Sequence, residues 1–183
     1  MGTQNRVAWP GWTPQKTLVL PIPSELWAPA VETLVFDGLT FLPARKLHVT
    51  LIGRWLGPAL QIEPGRRQAV REAFMSLDWG FTRRGELLRL EKHELAGGGG
   101  HGRAIGSIIE RIEMPAMAAF YDELAMLLGR RLAIPPPHVT LYTTGRSQGI
   151  AVPDVATLQR FTVHEVPSAG TPPRDWHPPR TPY

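Results

Sequence analysis

Two imidazoles and two hydroxyls recur in this chain at matched spacing. His48-Val49-Thr50-Leu51 returns as His138-Val139-Thr140-Leu141, 90 residues further on (138 minus 48). Histidine is the side chain whose unperturbed pKa, about 6.5, lets it both accept and donate a proton near neutral pH. A pair of them can therefore divide the work, one neutral and taking a proton, the other protonated and giving one to a leaving oxygen. Threonine hydroxyls beside them can hold non-bridging oxygens and stabilise charge that develops there. The chemistry implied is attack on a phosphate ester. A single His-x-Thr arises by chance in many chains; the repeated tetrapeptide in matching context carries the argument.

Both copies sit in short β-like runs, Lys46 to Ile52 and Pro137 to Tyr142. Strand side chains alternate between faces, so His and Thr share one face while Val and Leu share the other. Each copy then offers His and Thr to a cleft and Val and Leu to a core. By the same alternation Tyr142 falls on the second motif's polar face, either as a substrate contact or as core-edge packing, and Arg54 continues the first motif's face as a further candidate contact. Pro135-Pro136-Pro137 stiffens the approach to the second motif and presets an extended geometry.

The remaining elements follow from periodicity and punctuation. Residues 1–15 read as an N-terminal arm whose Trp9 and Trp12 pack back on the domain. Thr17 to Leu20 reads as a buried strand ended by Pro21 and Pro23. Ser24 is a candidate N-cap for a short helix with Val31, Leu34 and Val35 on its apolar stripe and Gly38 at its end. Gly53 to Pro58 closes the first motif strand. Val70, Ala73, Phe74 and Leu77 predict a helix over Arg66 to Asp78, its arginines on the solvent side. Phe81 to Glu91 and Gly102 to Ile112 predict two strands around a glycine-rich tip, although Ile105, Ile108, Ile109 and Ile112 also fit a helical period. Ala96 to Gly100 lacks the Gly-Lys-[Ser/Thr] and helix start of a phosphate loop, so a hairpin tip is the expectation. His93 and His101 flank that tip as exposed loop histidines. Met117, Phe120, Tyr121, Leu124, Leu127 and Leu128 form the core stripe of a helix over Pro115 to Arg131, with Arg130 and Arg131 in its last turn. A polar turn, a final strand around Leu158 to Val166, and an extended tail over 167–183 with six prolines complete the chain. Residues 1–166 are expected to form one catalytic domain.

The bulk composition sets bounds. A length of 183 residues suits one domain, and an apolar fraction of 43% suffices for a core without staples. Zero cysteines exclude disulfides, thiolate catalysis and Cys-based zinc sites. No apolar run approaches the ~20 residues that span a bilayer, and no secretory signal is evident. A cytoplasmic monomer is the expectation, with no membrane or protein partner. The net charge of +4 and pI near 10.0 favour an anionic ligand. No carboxylate cluster suggests a metal, and neither metal nor cofactor is expected.

The two His-x-Thr motifs, one in each half of a chain of this length, resemble the two-histidine (2H) phosphoesterase superfamily, whose bacterial members include LigT-like 2′-5′ RNA ligases that are also RNA 2′,3′-cyclic phosphodiesterases. The resemblance implies an α+β fold of two pseudo-symmetric lobes, with two antiparallel sheets facing a central cleft and helices outside. It implies His48 and His138 as the acid and base pair, in either order, and Thr50 and Thr140 as phosphate ligands. The substrate implied is a nucleotide 2′,3′-cyclic phosphate or an RNA end, with reversible 2′-5′ ligation as the related activity. Many ligase-like members carry an Arg soon after the second motif; here Thr143 and Thr144 follow Tyr142, and the next Arg is Arg146. That departure moves the expectation from ligase toward cyclic phosphodiesterase. Two other classes compete: a nucleotide or RNA-end binding module with little turnover, and a structural protein whose repeat is coincidental.

Overall fold

A computed structural model describes residues 7–23, 32–94, 103–166 and 175–176. Among these the chain is α+β, with nine strands and four helices. The strands are β1 (Leu18–Pro21), β2 (Leu34–Phe36), β3 (Leu39–Pro43), β4 (His48–Ile52), β5 (Phe81–Glu94), β6 (Arg103–Glu113), β7 (His138–Thr144), β8 (Thr162–Val166) and β9 (Asp175–Trp176). The helices are α1 (Gly57–Gln61), α2 (Pro64–Ser76), α3 (Ala116–Leu128) and α4 (Val155–Phe161). All strand pairings are antiparallel, and the main path runs β1-β4-β7-β6-β5-β8. In place of two separate sheets the strands join into one, because β4 and β7 pair at its middle. No helix among the described residues is long and apolar enough to cross a membrane.

Each face of this sheet is covered by its own apolar cluster, which explains why β6 reads ambiguously in sequence. Ile108 and Ile112 face the larger core with Val49, Leu51, Val139, Leu141, Phe74 of α2, and Phe120 and Leu124 of α3. Ile105 and Ile109 face a smaller cluster with Leu88, Leu90, Ile150, Val152 and Leu158 of α4. A strand buried on both sides has no polar alternation, so its isoleucines mimic a helical stripe.

The expected helix ending at Gly38 is replaced by a hairpin over its described part. Leu34–Phe36 pairs with Leu39–Phe41 across Asp37-Gly38, both at positive φ (49° and 71°), the backbone that a two-residue Asp-Gly turn requires. Residues 24–31, which hold the start of that expected helix, lie outside the described residues, as do the glycine tip and His101. The hairpin is clasped across the sheet: Asp37 pairs with Arg89 of β5, which is 6% exposed, and with His164 of β8 at 2.7 Å. Helix α4 claims Leu158 to Phe161 from the expected final strand. The Asp154 side chain caps it, accepting from the Thr157 backbone N–H at 2.6 Å. Helix α3 ends one turn earlier than expected at Gly129, whose φ of 63° makes a left-handed cap, so Arg130 and Arg131 lie beyond it. Trp9 packs edge-on against Phe74 at 5.2 Å, as the arm was expected to do. Within the Pro-rich tail, Asp175–Trp176 adds a short strand beside Phe81 and Thr82.

Candidate active site

The repeat in sequence proves to be a repeat in backbone. Pro21 lies opposite His48, Leu20 opposite Val49, Val19 opposite Thr50, and Leu18 opposite Ile52. Ninety residues on, Arg111 lies opposite His138, Glu110 opposite Val139, Ile109 opposite Thr140, and Ile108 opposite Tyr142. Each motif strand thus carries one residue more than its neighbour, a β-bulge, and the extra residue is the Leu of the tetrapeptide in both: Leu51 and Leu141. Two further hydrogen bonds repeat as well. The Ile22 N–H donates to the Leu47 carbonyl at 2.9 Å, and the Ile112 N–H donates to the Pro137 carbonyl at 3.1 Å.

The two units meet along β4 and β7, where Val49 lies opposite Val139. An antiparallel register about that pair sets His48 across from Thr140 and Thr50 across from His138. The four polar side chains then form a square on one face, His beside the other motif's Thr. Diagonal neighbours in such a pair, His48 and His138 here, are roughly 7–8 Å apart at Cα. Val49, Leu51, Val139 and Leu141 are all buried on the opposite face, and all four site residues are half-buried.

Both imidazoles are oriented in the same way. Nδ1 of His48 lies 3.2 Å from the Lys46 carbonyl, and Nδ1 of His138 lies 2.8 Å from the Pro136 carbonyl, each two residues upstream. A carbonyl only accepts, so Nδ1 carries the proton in either charge state and Nε2 is the atom left for chemistry. The Pro-rich approach therefore does more than stiffen the chain, because Pro136 supplies the orienting oxygen. Burial lowers the pKa of His138 below its ordinary 6.5; its hydrogen bond to Pro136 opposes the shift, and the charge of His48 adds to it. His138 is thereby held neutral near pH 7, the state a general base needs.

The bulges redirect the two outlying candidates. With Leu141 and Tyr142 both turned to the main core, Tyr142 is 6% exposed and pairs with Ile108 and Pro43. Simple alternation placed it on the polar face; the extra residue reverses that parity and gives the place to Thr143, opposite Ser107. In the first motif Ile52 takes the position equivalent to Tyr142, and Arg54 lies in the turn beyond β4, exposed over the Trp55 ring at 5.2 Å. Neither joins the square.

Two residues not singled out from sequence do adjoin it. Arg111 is the direct cross-strand neighbour of His138, hence on the same face; it is half-exposed, with Glu86 at 3.2 Å. Gly149 passes over Thr140 so closely that a Cβ on it would lie 2.7 Å from Thr140 Oγ1. Arg146 braces that crossing, donating to the Gln148 carbonyl, to the Gly149 carbonyl and to Glu94. No local pattern marks Arg111 or Gly149, because both depend on non-local register. Among the described residues no group of three or more His, Cys, Asp or Glu is placed to hold a metal ion. No protein family, curated protein or solved structure matches the chain.

Proposed function

We propose that this chain is a cyclic phosphodiesterase of the 2H type, opening 2′,3′-cyclic phosphates of nucleotides or RNA ends without a metal. One observation carries the reading: the two tetrapeptides lie on adjacent strands, with both Nδ1 atoms tied to upstream carbonyls and both Nε2 atoms left for proton transfer. On this reading the two lobes are the two 90-residue-related units, β1 with β4 and β6 with β7.

In the reaction, Nε2 of neutral His138 takes a proton from water as the oxygen attacks phosphorus. The bond to one ribose oxygen breaks, and protonated His48 supplies that oxygen with its proton through Nε2. Thr50 and Thr140 donate to the non-bridging oxygens, where negative charge is held as the pentavalent arrangement forms. Arg111 stands beside His138 as the cation for the phosphate monoester product. The reverse reaction, closure of the cyclic phosphate, exchanges the two histidine roles; opening of the ring by a ribose 5′-hydroxyl in place of water is ligation.

Turnover of a nucleoside 2′,3′-cyclic phosphate in the presence of EDTA is the test. Wild-type chain is expected to be active, while His48→Ala and His138→Ala each lose about 10²–10⁴-fold in kcat with unchanged circular dichroism. No turnover of cyclic mononucleotides or of RNA ending in a cyclic phosphate sinks the reading; tight binding without turnover assigns the site to a binding module instead.

A further inference from the structure

The polar face of β7 does not end at the motif. Because Leu141 is the bulge, Thr143 is the next residue on the site face after Thr140. The step equals the two residues from Ile109 to Ser107 on β6, about 7 Å along the sheet. There a cavity of about 290 Å³ opens, walled by β3, β6, the end of β7 and the loop beyond it. Three arginines reach its lining, Arg45, Arg103 and Arg146, together with hydroxyls such as those of Thr40, Thr143 and Ser147. Among the described residues no carboxylate lines it. Arg146 is committed to Glu94 and the loop carbonyls. Arg45 and Arg103 are exposed and hold no ion pair among the described residues. Guanidinium groups bind phosphate through paired N–H donors, and two of them without a carboxylate partner are suited to one anionic group.

We propose that this cavity binds the phosphate on the 5′ side of the nucleotide whose 2′,3′-cyclic phosphate lies between His48 and His138. The inference rests on the cyclic phosphodiesterase reading and narrows its substrate to one carrying a second phosphate about one nucleotide from the first. That phosphate is either a terminal 5′-monoester or the diester of a preceding nucleotide.

Three substrates decide it: a nucleoside 2′,3′-cyclic phosphate, the same compound with a 5′-phosphate, and a dinucleotide ending in the cyclic phosphate. Wild-type kcat/KM is expected to rise about tenfold from the first to a 5′-phosphorylated substrate, a gain of the size that a charge-assisted contact provides. In Arg45→Gln/Arg103→Gln the rise collapses while the first substrate is opened as before. A rise for both larger substrates assigns the pocket to any 5′ phosphate, and a rise for the dinucleotide alone assigns it to a diester. Equal kcat/KM for all three, or a rise that survives the double substitution, overturns the proposal. Should wild-type chain open none of them, the phosphodiesterase reading fails separately. Calorimetric binding of a nucleoside 3′,5′-bisphosphate then judges the pocket: about tenfold weaker in the double variant supports it, and unchanged affinity overturns it.

Discussion

At the scale of single residues, burial and then the neighbouring charge of His48 depress the pKa of His138. In NMR titration its Cε1 proton is expected to move with a midpoint below 6.5. In His48→Ala that midpoint rises, because a neighbouring cation is removed; an unchanged midpoint would show that the two rings do not sense each other. The acid limb of the kcat/KM profile should likewise lie below 6.5, since kcat/KM reports the free enzyme. The linkage to stability has a definite sign. A histidine whose folded pKa is below its unfolded value binds fewer protons when folded, so its contribution is present above about 6.5. That contribution is lost as pH falls from there through the folded pKa. The tie from Nδ1 to Pro136 also explains why a proline run leads into the motif: it holds a carbonyl at fixed distance from the ring.

At the scale of elements, the hairpin of β2 and β3 is the piece held by charge as much as by packing. Asp37→Ala removes a partner from Arg89, which stays buried with Glu91 at 2.6 Å as its remaining carboxylate. The expected cost is about 1–3 kcal/mol, the scale of leaving a buried donor short of its partner. It would be read as a lower urea midpoint at unchanged m-value; an unchanged midpoint would show that the clasp adds nothing. Long periodic elements were legible in the sequence: α2, α3 and both motif strands follow from the spacing of apolar residues. The hairpin had a local signal as well, Asp37-Gly38 between alternating apolar residues, but the helical stripe of Leu34 and Val35 outweighs it and predicts a helix there. The Asp154 cap of α4 was a signal of the same local kind. The bulges were not legible by alternation, and their only trace is two consecutive apolar residues after each Thr, Leu51-Ile52 and Leu141-Tyr142. That single irregularity moved Tyr142 from the expected polar face into the core.

At the scale of the whole molecule, the sheet contains two matched strand pairs at a constant 90-residue offset, sewn together at Val49 and Val139. Only four residues in each unit betray this in sequence, because the offset constrains backbone register and leaves most side chains free. The units differ where they flank the histidines: Pro21 neighbours His48, and Arg111 neighbours His138. Arg111→Gln is therefore expected to raise KM for a cyclic phosphate about tenfold, with a smaller change in kcat, as loss of ground-state binding does. A fall in kcat at constant KM would instead mean that Arg111 acts only as the transition state forms. The pairing of Val49 with Val139 has one more consequence. Antiparallel identical motifs about such a pair read the same from either end, so the square of His and Thr has no head or tail of its own. A nucleotide strand, the substrate proposed above, does have a polarity, and the motif alone cannot impose which way such a strand would lie. That choice falls to the unmatched surroundings, Pro21 at one corner and Arg111 at the other.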